Sequence, residues 1–572
     1  MSRLKRIKRI FQRRNSVSIS HEIAPDEVML DSSNLPDFDT SQFEGRLERP
    51  ISRKTLFVVG LFFFLIGSVF TYKVWSLQVA QGQEFAERSE NNRLRHTIVF
   101  SDRGVIYDRN KKLLAWNEEN ANDPDFSFRK YATTSGITNI VGYIKYPSKD
   151  TAGFYYRQDY SGVDGIEKYF DSQLQGINGI KIAETDAMGN VVSQSIMNPP
   201  KTGKEVVLSI DSRIQEKMYT TIESLSHQVG FVGGSGVLMN IETGEIIAQV
   251  SYPEYSSQIL SDGVDRAQIN KYFSDPLNPL LDRPAAGLYV PGSIVKPFVA
   301  LGALNEGVIS ADKVIYTEGK LTIPNPYYPD LPTIFRDWKN HGPVDMRRAL
   351  AVSSDVYFYQ IGGGFKDQKG MGIANIEKYM KMFGFGEPVG GSEFFGNQKG
   401  TIPSPEWKKK VFKGENWTVG NTYHTSIGQY GFQITPLQMV RGMAALANYG
   451  KLIQPTIIAG DTENVKNTKT ISLPKKYFDV IHEGMRMSVT EGTARSLDLY
   501  DVKIAGKTGT AELGVSKEYV NSWVTGFFPY EKPKYAFVIL MEKGHKTNLI
   551  GAPYVGRQVF EWMITHTPEY FK

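Results

Sequence analysis

The longest apolar run in the chain lies near its N-terminus. Leu56 to Tyr72, LFVVGLFFFLIGSVFTY, are 17 residues without a charge, which is at the short end of the length that an α-helix needs to cross a bilayer. A helix that is apolar on every face fits lipid better than a protein core. Trp75 follows and suits the membrane interface. The pattern predicts a transmembrane helix over residues 55–75.

The segment before this helix divides into a basic and an acidic part. Residues 1–15 carry seven Lys or Arg and three apolar residues along one helical face, which fits either a membrane-surface helix or a solvated charge run. Residues 16–45 carry seven acidic residues and no Lys or Arg, a composition typical of a disordered tether. Because Lys and Arg favour the cytoplasmic side of a span, we expect residues 1–54 to be a largely disordered cytoplasmic tail, with the chain after about Ser76 exported.

After the membrane segment, the pattern of apolar and polar residues predicts short strands and helices. Residues 76–230 hold strand-like pieces, HTIVFSDRGVIYDRN and KEVVLSID, and then a helical pattern from Ile214 to Val229, which is typical of a non-catalytic spacer domain. Residues 231–572 begin with a predicted hairpin, SGVLMNIETGEIIAQVS, and end with three predicted strands, GKTGTAEL, SWVTGFF and KYAFVILM, and a helix. A helix-rich section, about Val290 to Ser496, separates them. This order predicts an α+β domain with an antiparallel sheet flanked by helices.

Composition excludes several classes of protein. The 572 residues are 41% hydrophobic and 22% charged, as in ordinary globular domains. The chain has no cysteine, so disulfides, thiolate metal sites and cysteine nucleophiles are excluded. Residues 1–54 supply +3 of the formal net charge of +5. The rest of the chain therefore carries no basic footprint for a nucleic acid.

The segment LYVPGSIVKPF places Ser293 three residues before Lys296. At this spacing the two side chains share one helical face. A serine hydroxyl becomes a good nucleophile when a neighbouring base removes its proton, and a lysine serves as that base only where burial or a nearby positive charge lowers its pKa. The Pro-Gly lead places Ser293 at a helix start, where free backbone N–H groups hold an oxyanion.

Two further segments complete a known set of elements. VSSDVYFYQIG contains Ser353 and Asp355, and IAGKTGTAEL contains Lys507-Thr508-Gly509. Ser-x-x-Lys, Ser-x-Asn/Asp and Lys-Thr-Gly, in this order, are the active-site elements of the penicillin-recognising serine enzymes, which the chain resembles.

Each residue of the two later elements has an expected role. We expect Ser353 to relay a proton between lysine, nucleophile and leaving amine. Asp355 is expected to orient the catalytic lysine and the substrate backbone. In the third element, we expect Lys507 to supply positive charge for a substrate carboxylate and Thr508 to donate to that carboxylate. We expect Gly509, which has no side chain, to let the backbone approach closely. We expect the backbone N–H of Thr510 to be the second donor of the oxyanion hole.

From about residue 91 onward the chain is similar to the class B penicillin-binding proteins. RGVIYDRN matches their pedestal signature, GVDGIEKYFDSQLQGINGIKI their next block, LNPLLDRPAAGLYVPGSIVKPF the approach to the nucleophile, and GMRMSVTEGTA the segment before the final strands. Asp in the second element, with FRDWKNHG upstream, is more similar to the elongation-type members than to the division-type ones. Three features depart from the family: Asn421 where Asp is usual, Tyr430 where Gly is usual, and a pedestal head shortened between Asn117 and Ile137.

The resemblance implies a fold and a reaction. The fold is α+β: a transmembrane helix, an elongated β-rich pedestal over residues 76–230, and a transpeptidase domain over 231–572 with a five-stranded antiparallel sheet. The reaction is peptidoglycan D,D-transpeptidation of D-Ala-D-Ala stem peptides through a Ser293 acyl-enzyme, without a cofactor and blocked by β-lactams. Implied partners are a SEDS-type glycosyltransferase and membrane proteins of the elongation complex. The implied location is the bacterial cytoplasmic membrane, in a single pass with the catalytic domain outside.

Several other interpretations are weighed against this one. A β-lactamase is suggested by Glu393 in EFFGN, but that segment matches the transpeptidases. A membrane-bound β-lactam sensor needs cytosolic output machinery, which a 54-residue tail does not provide; a scaffold with a dead site is disfavoured because no catalytic residue is missing. A division-type role remains a further alternative. Asp330, Asp337 and His341 suggest a metal site, as in some elongation-type relatives, but a solvated polar loop is favoured because the ligands are loosely spaced and cysteine is absent.

Overall fold

The computed structural model describes residues 52–85, 94–121, 125–151, 155–185, 191–324, 328, 330–390 and 393–571. The chain forms two compact units, Met1–Arg93 and Leu94–Lys572. The predictions for the basic and acidic parts of the N-terminal tail fall on residues 1–51 and lie outside the described residues.

The first unit contains the predicted membrane helix. α1 spans Arg53–Trp75, and Ser52 caps it by accepting a hydrogen bond from Thr55 N. A short π-helical segment, Ser76–Ala80, continues it. The most apolar 18-residue window of this helix has a mean hydropathy of 2.1, and no part of that window is buried. The predicted helix is therefore confirmed, and it is long and apolar enough to cross a membrane.

The N-terminal part of the second unit is built from short strands, as predicted for the spacer. Its elements are β1 (Leu94–Val99), β2 (Ile106–Tyr107), β3 (Leu113–Glu119), β4 (Ser127–Tyr131), α2 (Thr138–Val141), β5 (Ile144–Lys145), β6 (Ser148–Lys149), β7 (Tyr155–Arg157), β8 (Ser161–Gly162), α3 (Gly165–Tyr169), α4 (Asp171–Leu174), β9 (Gly179–Thr185), β10 (Val191–Asn198) and β11 (Val206–Val207). β1-β9-β10 form one sheet and β11-β2-β3-β4 another. We refer to this part as the pedestal.

Buried charges hold the pedestal together. Arg103, from RGVIYDRN, donates from Nε to Glu167 at 2.5 Å and from Nη2 to Asp171 at 2.7 Å. Arg129 donates from Nε to the other oxygen of Glu167 at 2.7 Å. Both guanidinium groups and the Glu167 carboxylate are buried, so removing Glu167 would leave Arg129 as a buried charge without its carboxylate partner. This part of the family signature is therefore structural.

The C-terminal part is an α+β domain around one large sheet. Its strands are β12 (Gly233–Asn240), β13 (Ile246–Tyr252), β14 (Ile315–Thr317), β15 (Lys320–Ile323), β16 (Thr333–Arg336), β17 (Gly342–Val344), β18 (Lys451–Leu452), β19 (Lys469–Thr470), β20 (Ala505–Leu513), β21 (Tyr519–Phe528) and β22 (Tyr535–His545). The sheet has the order β13-β12-β22-β21-β20 and is antiparallel throughout. The predicted five-stranded sheet, with its first and last strands brought together at β12 and β22, is confirmed.

Helices cover both faces of this sheet. The helices of this part of the chain are α5 (Ser212–Val229), α6 (Ser257–Asp262), α7 (Arg266–Ser274), α8 (Arg283–Ala286), α9 (Lys296–Asn305), α10 (Met346–Ala351), α11 (Asp355–Gly363), α12 (Gly372–Met382), α13 (Pro405–Val411), α14 (Val419–Ser426), α15 (Pro436–Ala447), α16 (Glu463–Lys466), α17 (Lys475–Thr490) and α18 (Ala552–His566). Along β22, Val538 and Leu540 join the core that contains α9 and α15, while Ile539 joins the core that contains α5 and α18. A strand buried on both faces explains the continuous apolar run KYAFVILM.

Candidate active site

Ser293 lies at the start of a helix, as the sequence predicts. A 3₁₀ turn, Gly292–Val295, leads directly into α9. Gly292 has φ +59°, and a Cβ atom there would lie 3.0 Å from the carbonyl oxygen of Thr510 on β20. Ser293 is half-buried between buried neighbours. The turn therefore places the serine beside the edge strand of the sheet.

Lys296 is fully buried one turn after Ser293. Its Nζ donates to Asp355 Oδ1 at 2.6 Å and to the Ser353 carbonyl oxygen at 2.8 Å, and lies 3.4 Å from Ser353 Oγ. Asp355 is the first residue of α11, so the second sequence element meets the first through this contact. Burial raises the pKa of Asp355, although the positive charge of Lys296 opposes that effect. The predicted contact between Asp355 and Lys296 is present.

Lys507 reaches the same point from the sheet. It is fully buried on β20, and its Nζ donates to Ser353 Oγ at 2.7 Å and to the Thr508 carbonyl oxygen at 2.9 Å. Burial, and then the neighbouring charge of Lys296, lower its pKa well below the ordinary lysine value. Both of these acceptors are neutral, and among the described residues no carboxylate lies at hydrogen-bond distance from the Lys507 amine. The Ser353 hydroxyl thus lies between two buried amines.

Ser353 is held in an unusual backbone conformation. Its φ is +58°, in the left-handed region, which costs a non-glycine residue about 1–2 kcal/mol. This conformation lets the carbonyl oxygen and the hydroxyl of one residue both face Lys296. Strained backbone of this kind clusters at functional sites.

β20 brings the third element against the nucleophile. A Cβ atom on Gly509 would lie 2.9 Å from the Pro291 carbonyl oxygen and 2.9 Å from Ile294 Cγ2. The close approach predicted at Gly509 is therefore a contact between β20 and the turn that carries Ser293. Thr510 follows on the same strand with an exposed side chain.

Two residues of the site were missed from the sequence. Thr493 Oγ1 lies 2.6 Å from Thr508 Oγ1, and Thr493 N donates to the Ala351 carbonyl oxygen at 3.1 Å. This threonine ties β20 to the end of α10, just before Ser353. Its segment, GMRMSVTEGTA, matched the family, but the match gave no role to any single residue. The second missed residue is Ser354.

Ser354 is bound by a buried carboxylate. Asp337 Oδ2 accepts hydrogen bonds from Ser354 Oγ at 2.8 Å and from Val356 N at 2.9 Å, at the N-terminus of α11. The side chains of Asp337 and His341 are 0% and 4% exposed. The interpretation as a solvated polar loop is therefore wrong for these two residues, because both side chains are buried and Asp337 binds the second element, and it fits only the exposed Asp330. In the described ranges no group of three His, Cys, Asp or Glu has a metal-site arrangement.

Comparison with known proteins identifies this constellation. A penicillin-binding protein transpeptidase domain model matches residues 234–561, and a penicillin-binding protein dimerisation domain model matches residues 125–208. The chain belongs to the penicillin-binding transpeptidase family. The first match contains all three active-site elements, and the second lies within the pedestal.

Curated relatives place the chain in the elongation-type branch. It is 26% identical to peptidoglycan D,D-transpeptidase MrdA of Haemophilus influenzae over 93% of this chain and 94% of the relative. It is 26% identical to MrdA of Escherichia coli K12 over 85% of this chain and 90% of the relative. The expected resemblance to elongation-type class B penicillin-binding proteins, and with it a serine-type transpeptidase, is confirmed.

Solved structures share the fold. PBP2 of Pseudomonas aeruginosa, in complex with WCK 5153, superposes with a TM-score of 0.68 at 29% identity, covering 82% of this chain and 97% of that one. PBP2 of Helicobacter pylori, in complex with MreC, gives a TM-score of 0.67 at 27% identity, covering 82% and 99%.

The two local departures from the family are accommodated by the structure. Asn421 Oδ1 accepts from Lys408 Nζ at 3.0 Å and from Thr418 N at 2.9 Å, so the amide oxygen makes contacts that a carboxylate oxygen also makes. Tyr430 has φ +63°, which explains why glycine is usual there. A tyrosine in this conformation costs about 1–2 kcal/mol.

The segment that imitates a β-lactamase loop packs elsewhere. Glu393 begins a short 3₁₀ turn, Glu393–Phe395. The ring of Phe394 lies 6.4 Å from that of Tyr169 in the pedestal, and Gly396 packs on the Ala285 backbone. This placement favours the match to the transpeptidases over a deacylating glutamate.

Proposed function

We propose that this chain crosslinks peptidoglycan stem peptides in cell elongation, with Ser293 as the acylated nucleophile. The observation that carries the proposal is the convergence of three separate sequence elements on one hydroxyl. Ser353 Oγ lies 3.4 Å from Lys296 Nζ and 2.7 Å from Lys507 Nζ. The turn that carries Ser293 packs directly on β20.

In the first half-reaction Ser293 Oγ attacks the carbonyl carbon of the penultimate D-Ala. The hydroxyl proton passes to the amine of Lys296, which accepts it in its neutral form and lies one helical turn away, oriented by Asp355. The developing oxyanion is received by the backbone N–H groups of Ser293 and Thr510. The nitrogen of the terminal D-Ala then takes this proton as the peptide bond breaks, so that D-Ala leaves with a free amine and the acyl-enzyme remains.

In the second half-reaction an amine from a neighbouring stem peptide attacks the acyl carbon. Ser293 Oγ is released and takes back a proton, so no net proton is gained or lost. Ser353 is suited to carry the proton in both directions because it touches both lysines. Lys507 and Thr508 are proposed to hold the substrate carboxylate, with the buried Lys507 acting through Ser353 and through the electrostatic field of the site. A β-lactam would acylate the same serine.

A labelled penicillin tests this proposal. The full-length protein in detergent should gain one label per chain, on the peptide that contains Ser293, and Ser293→Ala should gain none. Ser310→Ala, at an exposed serine after α9, is the matched control and should label normally. Label at another side chain would refute the assignment, and rapid release of hydrolysed penicillin would support the β-lactamase alternative instead.

We also propose a single-pass topology with the N-terminus in the cytoplasm. It is supported by α1 and by the Lys and Arg that precede it. Because the chain has no cysteine, single cysteines introduced at Ser16 and Ser310 report on each side. In spheroplasts a membrane-impermeant maleimide should label Ser310→Cys and leave Ser16→Cys unlabelled until the membrane is opened. The reverse pattern would contradict the topology.

We further propose a SEDS-type glycosyltransferase and elongation-complex proteins as partners. β10 is exposed along its whole length, with Val192 68%, Ile196 56% and Met197 61% exposed. An exposed apolar edge strand is typical of a protein interface. Val192→Glu with Ile196→Glu should abolish co-purification with the polymerase while penicillin labelling persists; unchanged co-purification would exclude β10 as the contact.

A further inference from the structure

The turn that carries Ser293 is fixed by one loop, Gly428–Ile434. The Gly428 carbonyl oxygen accepts a hydrogen bond from Gly292 N at 3.0 Å, immediately before the serine. At the other end of the loop, Ile434 and Tyr289 exchange two backbone hydrogen bonds, at 2.9 and 3.0 Å. The loop therefore holds the approach to the nucleophile at both ends. A shift of the loop would move Ser293 relative to β20.

The loop is packed tightly at both of its glycines, Gly428 and Gly431. A Cβ atom on Gly428 would lie 2.2 Å from the Gly292 carbonyl oxygen, and one on Gly431 would lie 2.5 Å from the ring of Trp407. Gly428, Tyr430 and Gly431 all have φ between +63° and +76°. Glycine adopts this conformation freely, whereas tyrosine does so only when its surroundings hold it there. The surroundings of Tyr430 therefore stabilise this conformation, and the contacts of its side chain are part of them.

Those contacts form an aromatic cluster of four rings. Tyr430 stacks on Phe412 with ring centroids 6.0 Å apart and planes 8° apart. It meets Trp407 and Trp417 edge-on, at 5.8 Å each. Trp417 is itself fixed, because its Nε1 donates to Thr422 Oγ1 at 2.8 Å. Aromatic pairs at these distances and angles are stabilising beyond the area they bury.

We infer that Tyr430 is a positioning residue for the acylation of Ser293. Its ring, seated on Trp407, Phe412 and Trp417, fixes the Gly428–Ile434 loop and through it the turn of the nucleophile. The inference rests on the proposed function, since it concerns the rate at which Ser293 is acylated. Tyr430 acts through the loop and need not touch the substrate.

Three variants at this position separate the ring from the backbone conformation. Tyr430→Phe keeps the ring, Tyr430→Ala loses the ring and keeps the unfavourable φ, and Tyr430→Gly loses the ring and adopts that φ freely. The matched control is Tyr449→Ala. Tyr449 is also a tyrosine with positive φ, +61°, but its ring packs on Phe478 and His482 of α17.

The assay is the acylation of the full-length protein by a fluorescent penicillin, with the rate measured over a range of concentrations and the Tm recorded for each variant. Tyr430→Phe should acylate within about twofold of the unmodified chain. Tyr430→Ala should lower the limiting acylation rate at least tenfold, with little change in the half-saturating concentration, and Tyr430→Gly should lie between them. Tyr449→Ala should lower the Tm and leave the acylation rate unchanged.

The outcomes are distinguishable. If Tyr430→Ala acylates at the normal rate, or if Tyr449→Ala slows acylation equally, the positioning role is refuted. If Tyr430→Ala does not fold, Phe412→Leu removes the stacking partner without changing the sequence of the loop, and acylation should again be slower; a normal rate in this variant would refute the inference. If the unmodified chain is never labelled at Ser293, the proposed function itself fails.

Discussion

The ion pair between the fully buried Lys296 and Asp355, whose side chain is 20% exposed, gives the most quantitative prediction. Lys296 is 0% exposed and its Nζ lies 2.6 Å from Asp355 Oδ1. Asp355→Asn keeps the shape of the side chain and removes its charge, and this leaves the buried Lys296 without its carboxylate partner. Breaking a buried pair in this way costs about 3 kcal/mol or more.

This free-energy cost can be measured as a decrease in the Tm. Unfolding entropy is ~2.1 cal/mol/K per residue, so a domain of roughly 340 residues loses about 1.4 °C per kcal/mol. Asp355→Asn should therefore lower the Tm of the catalytic domain by about 4 °C or more in scanning calorimetry. The matched control is Glu306→Gln, in a pair with Lys378 at 2.8 Å on the surface, where about 1 kcal/mol or less is expected. If Asp355→Asn lowers the Tm no more than Glu306→Gln does, the pair is not a buried ion pair of the kind described.

Two other predictions concern β20. Burial lowers the folded-state pKa of Lys507, so between that value and the ordinary value of 10.5 the folded state binds fewer protons than the unfolded state, and stability rises with pH by up to about 1.4 kcal/mol per unit. Lys507→Met should lack this rise in Tm measured from pH 6 to 10, and parallel curves for the two proteins would contradict the pKa direction. Gly509→Ala places a methyl group 2.9 Å from the Pro291 carbonyl oxygen, so penicillin acylation should slow at least tenfold; an unchanged rate would show that the turn and the strand need not be so close.

The helix and the strand that carry the active-site residues could be predicted because each of them is indicated by a short, continuous stretch of sequence. The Ser-x-x-Lys spacing, the Pro-Gly lead and the strand after Lys507 are each set within about ten residues. The hairpin at Glu242-Thr243-Gly244 and the three final apolar runs likewise fixed the five strands. The antiparallel pairing of β12 with β13, and of β20, β21 and β22 with one another, then follows from short connections, whereas β12 and β22 pair although they are far apart in the sequence.

The parts that were missed depend on distant contacts. Thr493 and Thr508 meet across 15 residues, and Asp337 reaches Ser354 across 17. Nothing in the local pattern indicates that Asp337 is buried, because a carboxylate followed by Trp, Lys and Asn reads as a polar loop. The short strands β14–β17, three or four residues each within a section expected to be rich in helix, were missed because they are too short for an alternating pattern.

Tyr430 shows most clearly which features of the site cannot be predicted from the sequence. The sequence marks it as a departure from the family, but its meaning depends on its positive φ and on three rings that come from a segment 13 to 23 residues earlier. The strain and the contacts that offset it both belong to the folded chain, so neither is readable from residue 430 alone.

The central claim is that Ser293 transfers an acyl group from a stem peptide to an amine. The most direct measurement supplies the full-length protein with a stem peptide ending in D-Ala-D-Ala and an acceptor amine, and follows released D-Ala and crosslinked peptide together. We predict that the two products form in equal amounts, and that Ser293→Ala forms neither. Crosslinked peptide from Ser293→Ala, or D-Ala release with no crosslinked product at saturating acceptor, would contradict the account.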